Sequence, residues 1–139
     1  MKTLLFKDHY QIKLADTDAA GVLYFARLYD IVHACYENFM LESSLSLKKL
    51  LDEKNYHLPI IHSEADYKQV ILLGDMIQIQ LFLDNISQHT FTLNYELSNV
   101  KKQIIAHAKT VHISIKKSST KKINLPEEVI QIFTQNISK

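Results

Sequence analysis

The residues of this sequence that could best support catalysis are two acids and a glycine. Asp16, Asp18 and Gly21 come directly before a long apolar segment without proline or glycine, and they mark the start of a predicted helix. The first N–H groups of a helix lack intrahelical acceptors and lie at the positive end of its dipole. A carboxylate and a polarised carbonyl group could meet there. The alternative is that the acids only cap the helix.

The predicted helix has a wide apolar face. Over residues 24–40, large apolar side chains recur at spacings of three and four, the period of one helix face: Tyr24, Phe25, Leu28, Tyr29, Val32, Cys35, Tyr36, Phe39 and Met40. The polar positions Arg27, Asp30, Glu37 and Asn38 are few, and Ile31 and Ala34 interrupt them. We therefore expect the helix to be covered on most of its sides.

The remaining elements must hold this helix in place. Period-two alternation predicts a first strand over residues 3–14 and later strands over 60–70, 76–86, 91–97 and 103–115, joined as consecutive antiparallel hairpins. A second helix is predicted over 45–54, and Pro126 is expected at the first position of a terminal helix through Phe133. This order predicts an α+β fold, a curved sheet wrapped around a central helix. Because open sheet edges are usually paired, we expect a homodimer or homotetramer.

Composition narrows the class of protein. With 139 residues and 47% hydrophobic content, the chain is expected to form one domain over 1–139. The 16 basic and 15 acidic residues give a net charge of +1, so charge gives no reason to expect a nucleic-acid or membrane partner. No apolar run is long enough for a signal peptide or a membrane span, and we expect a cytoplasmic location.

Neither cysteine nor histidine predicts a metal site. Cys35 is the only cysteine, which excludes an intrachain disulfide, and its place on the apolar face predicts a buried hydrophobe. The seven histidines are scattered without a ligand-pair spacing, so no metal is expected. Four lysines near the C-terminal end could meet a phosphorylated ligand or simply be solvated: Lys116, Lys117, Lys121 and Lys122.

A family resemblance adds to this interpretation. The string DTDAAGVLYF at residues 16–25, before a long helix and a strand-rich half, resembles the hot-dog-fold acyl-CoA thioesterases of the 4-hydroxybenzoyl-CoA thioesterase family. The resemblance covers nearly the whole chain. The longer string DTDAAGVLYFARLYDIVHACYE, with PIIHSEADY at 59–67 and Gly74-Asp75, is most similar to the 1,4-dihydroxy-2-naphthoyl-CoA hydrolases of phylloquinone and menaquinone biosynthesis.

The resemblance implies a catalytic role for Asp18. Thioester hydrolysis needs a base or nucleophile beside the carbonyl carbon and a donor for the oxygen that becomes negative. The resemblance assigns the first role to Asp18 and the second to the backbone N–H of Phe25. It implies no cofactor. Whether Asp18 attacks the thioester directly or activates a water stays open. Asp16 is interpreted as a cap and turn-former.

Substrate contacts are also implied. In relatives, Arg or Lys of the loop that matches residues 87–89 meets CoA phosphates; here His89 and Thr90 could donate hydrogen bonds, and Lys116 or Lys117 could supply charge. Phe25 stands where some relatives carry histidine, and its ring suits a flat aromatic acyl group.

Two further sets of residues keep alternative roles. Tyr24 is either a core or interface aromatic or a substrate contact. His62, Glu64 and Asp66 share one face of a predicted strand. They could bind the naphthoate hydroxyls at the polar end of an acyl pocket, or form a hydrogen-bond network at a dimer interface.

Three functions follow from these residues. The first is hydrolysis of 1,4-dihydroxy-2-naphthoyl-CoA, and the second is hydrolysis of another aroyl or a short or medium aliphatic acyl-CoA. The third is a non-catalytic module that binds acyl-CoA or an acyl carrier. A hot-dog dehydratase is disfavoured, because those enzymes use a histidine with a separate acid and no histidine stands beside Asp18.

Overall fold

The computed structural model describes residues 2–135, which form one strand, two helices, six further strands and a last helix. The strands are β1 (Thr3–Gln11), β2 (Tyr56–His57), β3 (Ile60–Tyr67), β4 (Met76–Ile86), β5 (Thr90–Ser98), β6 (Ile104–Ile113) and β7 (Ile115–Lys116). The helices are α1 (Arg27–Glu42), α2 (Leu47–Glu53) and α3 (Glu127–Thr134), with a 3₁₀ turn at Leu14–Asp16. The predicted domain also includes residues 1 and 136–139, which lie outside the described residues.

The five long strands form one antiparallel sheet in the order β1-β4-β5-β6-β3. The prediction of consecutive hairpins is wrong for β3, which pairs with β6 at one edge while β4 pairs with β1. The segment that follows β3 does not turn back tightly. It pairs instead with the loop before α1, through an antiparallel bridge between Val22 and Leu72. Alternation of apolar and polar residues shows which face of a strand each side chain occupies, but it does not show which strands are neighbours. The sequence pattern therefore could not establish that consecutive strands form hairpins.

Helix α1 packs its apolar residues into one core with the inner face of the sheet. Its buried residues are Leu28, Ile31, Val32, Cys35, Tyr36, Phe39 and Met40. The helix is covered on most of its sides, as predicted, but one strip with Ala34, Asn38 and Leu41 is exposed in the single chain, Leu41 to 69%. Cys35 is buried as predicted, and burial raises the pKa of its thiol to about 12.

Several element boundaries differ from the sequence prediction. Strand β1 ends at Gln11, since the chain turns at the 3₁₀ segment and the Asp16 carboxylate accepts from the Lys13 N–H. Helix α1 begins at Arg27, after a turn over residues 24–26. Pro126 is the N-cap of α3 and not its first helical residue. No helix within residues 2–135 is long and apolar enough to cross a membrane.

Candidate active site

Asp18 lies in an exposed loop that its own carboxylate stabilises. Its Oδ1 accepts from the N–H groups of Ala20 at 2.8 Å and Val22 at 3.3 Å. The Asp18 N–H donates to the Val22 carbonyl at 2.9 Å, and Gly21 completes the turn with a φ of 75°, a conformation that favours glycine. No group within residues 2–135 donates to Oδ2. The carboxylate therefore has one fixed oxygen and one oxygen open to solvent.

The loop is anchored to the segment between β3 and β4. The Leu23 N–H donates to the Ile71 carbonyl at 2.8 Å, and the Leu73 N–H donates to the Gly21 carbonyl at 3.0 Å. At its base, the Tyr24 N–H donates to the Asp16 carbonyl at 2.9 Å, beside an antiparallel bridge between Thr17 and Leu23. This pairing makes residues 16–24 a short hairpin that carries Asp18 and leads directly into the turn with Phe25.

The turn before α1 leaves a backbone donor free. Arg27 N–H donates to the Tyr24 carbonyl and Leu28 N–H to the Phe25 carbonyl, whereas the Phe25 N–H has no acceptor in the described part of the chain. Ala26 is the N-cap and supplies no side-chain hydrogen bond. The interpretation of the acids as caps of α1 is therefore wrong, and the Phe25 N–H is available to a negative oxygen.

Exposed aromatic and aliphatic side chains surround this loop. Tyr24 and Phe25 are 48% and 62% exposed, and their ring centroids lie 5.0 Å apart. Tyr24 is thus not a core residue of the single chain. Val70, Leu72 and Leu73 are also exposed on the segment that anchors the loop. Exposed apolar side chains therefore surround the loop that carries Asp18.

A groove of about 390 Å³ lies between the loop that carries Asp18 and the segment that follows β3. It is lined by Val22, Leu23 and residues 67–71. The Tyr67 hydroxyl at one end donates to the Phe25 carbonyl, which ties the end of β3 to the turn before α1. Lys68 places a cation at the groove, and no ion-pair partner for it occurs within residues 2–135. The groove can thus receive an apolar chain that carries a negative group.

His62, Glu64 and Asp66 lie on edge strand β3, away from this site. His62 Nε2 and Glu64 Oε1 are 2.9 Å apart, and this hydrogen bond holds the pKa of Glu64 below its usual value. Residues alternate between the two faces of a strand, so these three side chains point to the face opposite that of Tyr67. A single chain does not bring them to Asp18.

His89 and Thr90 lie at the other end of β4. His89 Nδ1 is 2.9 Å from the Ile123 carbonyl, and the Thr90 hydroxyl is 2.6 Å from that of Ser87. The Asp18 loop docks near Asp75, at the start of β4, whereas these residues follow its end. A strand of this length spans on the order of 30 Å. One chain therefore separates His89 and Thr90 from Asp18.

Two lysines of the predicted cluster, Lys116 and Lys117, have structural contacts within the chain. Lys117 Nζ donates to the carbonyls of Leu51 and Lys54 at the end of α2, at 2.5 and 3.2 Å. A cation is stabilised there by the negative end of the helix dipole. Lys117 therefore stabilises the C-terminal end of α2. Lys116 lies opposite Tyr56 in the backbone pairing of β7 with β2.

Sequence reasoning missed Tyr10, Arg27 and Tyr67. Tyr10 and Arg27 both contact the buried carboxylate of Asp16, which is 1% exposed and is not the simple cap that was expected. One signal was available: an arginine in the first turn of a helix opposes the dipole and calls for a nearby acid. Tyr67 carried no such signal. Within residues 2–135, no three His, Cys, Asp or Glu residues are grouped so as to hold a metal ion.

Comparisons with known proteins show the family of the chain. Residues 12–133 match the family model of the thioesterase-like superfamily. The 1,4-dihydroxy-2-naphthoyl-CoA hydrolase of Nostoc punctiforme is 35% identical over 125 residues, which cover 90% of this chain and 84% of that protein. The hydrolase of the same name from Microcystis aeruginosa is 36% identical over 118 residues, 85% of each chain. The crystal structure of Slr0204, a 1,4-dihydroxy-2-naphthoyl-CoA thioesterase from Synechocystis, has a TM-score of 0.86 at 30% identity and covers 96% of both chains.

Proposed function

The chain belongs to the thioesterase-like superfamily, and from this premise we propose that it hydrolyses 1,4-dihydroxy-2-naphthoyl-CoA to the free acid and CoA. The names of its relatives at about 35% identity support this substrate. The observation that carries the proposal is that one short segment holds both the free Oδ2 of Asp18 and the unpaired N–H of Phe25. A thioester carbonyl between them would meet a base or nucleophile on one side and a donor on the other.

The reaction uses these two groups in one of two ways. Asp18 Oδ2 either takes a proton from a water that attacks the carbonyl carbon, or attacks that carbon itself to give a mixed anhydride that water then cleaves. In both routes the carbonyl oxygen becomes negative and accepts from the Phe25 N–H. The C–S bond then breaks, and the sulfur of CoA leaves as a thiolate that takes up a proton.

The surroundings of Asp18 suit the two ends of this substrate. The exposed rings of Tyr24 and Phe25 offer flat apolar surfaces to a naphthoyl group. The groove along residues 67–71 suits the pantetheine arm, and Lys68 provides a cation for a CoA phosphate.

A second copy of the chain would complete the site. The other proposed substrate contacts, His62, Glu64, His89 and Thr90, lie away from Asp18 in one chain. Strand β3 is a sheet edge with an exposed Ile61, and such an edge is normally paired or covered. We therefore propose a homodimer or homotetramer in which these residues approach the Asp18 loop of another copy.

A turnover panel tests the proposal. Wild type and Asp18→Asn are assayed with 1,4-dihydroxy-2-naphthoyl-CoA, benzoyl-CoA and aliphatic acyl-CoA thioesters. Asp18→Asn keeps the shape of the side chain but removes the base, and it should lower kcat by about 10²- to 10⁴-fold. Asp52→Asn, on exposed helix α2, serves as the control and should retain wild-type turnover.

Other outcomes would favour the other functions. Equal or faster turnover of aliphatic thioesters would remove the naphthoyl assignment while keeping the enzyme class. Binding of CoA without hydrolysis of any thioester would identify a binding module. Full activity of Asp18→Asn would contradict the catalytic role of Asp18.

A further inference from the structure

A buried carboxylate lies two residues before Asp18 and accepts four hydrogen bonds. Asp16 is 1% exposed. Its Oδ2 accepts from the Tyr10 hydroxyl at 2.6 Å and from the Lys13 N–H at 2.9 Å. Its Oδ1 accepts from Arg27 Nη2 at 2.8 Å and from Arg27 Nε at 3.2 Å. Both oxygens are thus fully occupied by protein groups.

These contacts join three parts of the chain around the Asp18 loop. Tyr10 belongs to β1, Lys13 precedes the 3₁₀ turn, and Arg27 is the first residue of α1. The Asp16 carbonyl also accepts from the Tyr24 N–H. Asp16 therefore fixes both ends of the segment 17–26, which carries the Asp18 carboxylate and the Phe25 N–H.

The charges around Asp16 fit a fixed ion pair. Burial alone raises the pKa of Asp16, but the hydrogen bonds from Tyr10, Lys13 N–H and Arg27 outweigh it and hold the pKa below its usual value. Asp16 is therefore an anion at neutral pH. Arg27 also reaches Asp30, with Nη1 3.2 Å from Oδ2. A cation in the first helical turn opposes the dipole, and these two carboxylates offset that cost.

We propose that Asp16, with Tyr10 and Arg27, is a positioning group that sets the distance and direction between the Asp18 carboxylate and the Phe25 N–H. It does not touch the substrate and acts through the loop that it holds. This inference rests on the proposed hydrolysis at Asp18. A catalytic group displaced by about 1 Å can cost on the order of 10²-fold in rate.

A variant that keeps the shape of Asp16 tests this role. In the full-length protein, Asp16→Asn retains the size of the side chain but removes the charge that holds Arg27. We expect kcat to fall by about 10- to 100-fold with KM changed by less than about threefold, because the substrate contacts stay in place while the reacting groups shift. The measurements are steady-state kinetics with the naphthoyl-CoA substrate and thermal unfolding of the same preparations.

The chain offers a matched control in a second tyrosine, acid and cation cluster. Tyr56 hydroxyl and Lys54 Nζ both bond to Glu128 on α3, away from the Asp18 loop. Glu128→Gln should lower the midpoint of thermal unfolding and leave kcat unchanged. A purely structural role for Asp16 predicts the same behaviour for both variants, and a folded Asp16→Asn protein with wild-type kcat would overturn the proposal.

Two milder variants cover the case in which Asp16→Asn does not fold. Tyr10→Phe and Arg27→Lys leave the Asp16 charge in place and each remove part of its hydrogen bonding. Lower kcat at unchanged KM in both supports the positioning role, and wild-type kcat in both overturns it. Absence of thioester hydrolysis by the wild type would contradict the proposed function itself, which separates that failure from this one.

Discussion

At the scale of single residues, His112 lies in the core, where its ring stacks on Phe91 with centroids 4.6 Å apart. Its Nε2 is 3.0 Å from the Thr110 hydroxyl, and its Nδ1 is 3.2 Å from the Leu58 carbonyl. Burial lowers the pKa of His112 to about 4, so the ring is neutral in the folded chain at physiological pH.

This burial predicts a loss of stability at moderately acidic pH. The unfolded chain binds a proton at His112 near its ordinary value of 6.5, whereas the folded chain binds it only near about 4. The stabilising effect is therefore complete above pH 6.5 and falls as the pH drops towards 4, by up to about 3 kcal/mol in the free energy of unfolding.

Denaturant unfolding between pH 7 and pH 4.5 measures this effect, and NMR titration of the His112 ring measures its pKa directly. In His112→Gln, which keeps polar atoms for Thr110 and Leu58, the slope of stability against pH should be smaller. An NMR midpoint near 6.5 would contradict the prediction.

The sequence contained the residues of the candidate site but not their arrangement. The role of Asp18 followed from a family resemblance and stays a prediction. Asp16 was interpreted as a cap and turn-former, because an aspartate before a helix usually caps it. Its hydrogen bond from the Lys13 N–H agrees with the role in the turn, but only the folded chain reveals that Tyr10 and Arg27 contact the buried carboxylate. Burial of a polar residue depends on distant partners, which local spacing does not identify.

At the scale of secondary structure, regular elements were predictable and their pairing was not. The bounds of β4 agree with the prediction at both ends, since its apolar and polar residues alternate cleanly. The start of α1 was predicted three residues early, because Tyr24 and Phe25 fit the helical period and yet form a turn. The place of β3 depends on long-range pairing with β6, for which its own sequence gives no signal.

The tie between β3 and the turn before α1 leads to a prediction. Tyr67→Phe removes the hydrogen bond to the Phe25 carbonyl and should loosen the turn that presents the Phe25 N–H. We expect kcat to fall about three- to tenfold, the size of one lost hydrogen bond. Hydrogen exchange of the amides in residues 17–26 should also become faster.

Tyr29→Phe is the matched control for this variant. Tyr29 lies in the first turns of α1, and its hydroxyl has no hydrogen-bond partner in the described part of the chain. Tyr29→Phe should leave kcat and the rate of amide hydrogen exchange in residues 17–26 unchanged. If Tyr67→Phe had wild-type kcat and wild-type exchange, the tie would not shape the site.

At the scale of the whole molecule, the family and the hot-dog fold predicted from residues 16–25 are confirmed by the family match and by a solved structure with a TM-score of 0.86. The proposed substrate contacts, in contrast, lie on separate parts of the chain: Tyr24 before α1, His62 and Glu64 on β3, and His89 and Thr90 at the start of β5. This distribution makes sense if the working unit contains more than one copy of the chain.

A charge on the sheet edge tests that expectation. Ile61 is 57% exposed on β3, and Ile61→Asp should prevent two such edges from pairing. We expect a smaller particle in analytical ultracentrifugation and a loss of most hydrolysis. Val100→Asp, at a 77% exposed position in the turn between β5 and β6, controls for the added charge and should change neither. An Ile61→Asp protein that assembles and turns over like wild type would exclude β3 as the interface.

The unequal surroundings of the two Asp18 oxygens have a consequence for isotope experiments. Oδ1 is held by two backbone amides, so the carboxylate cannot rotate freely between turnovers. If Asp18 attacks the thioester directly, heavy oxygen from water that cleaves the anhydride at the aspartyl carbon would enter the carboxylate at Oδ2. The label would then remain at Oδ2 until the next turnover and be transferred to the next product molecule. If Asp18 instead activates water, the enzyme carboxylate takes up no label, and no label passes from one turnover to the next.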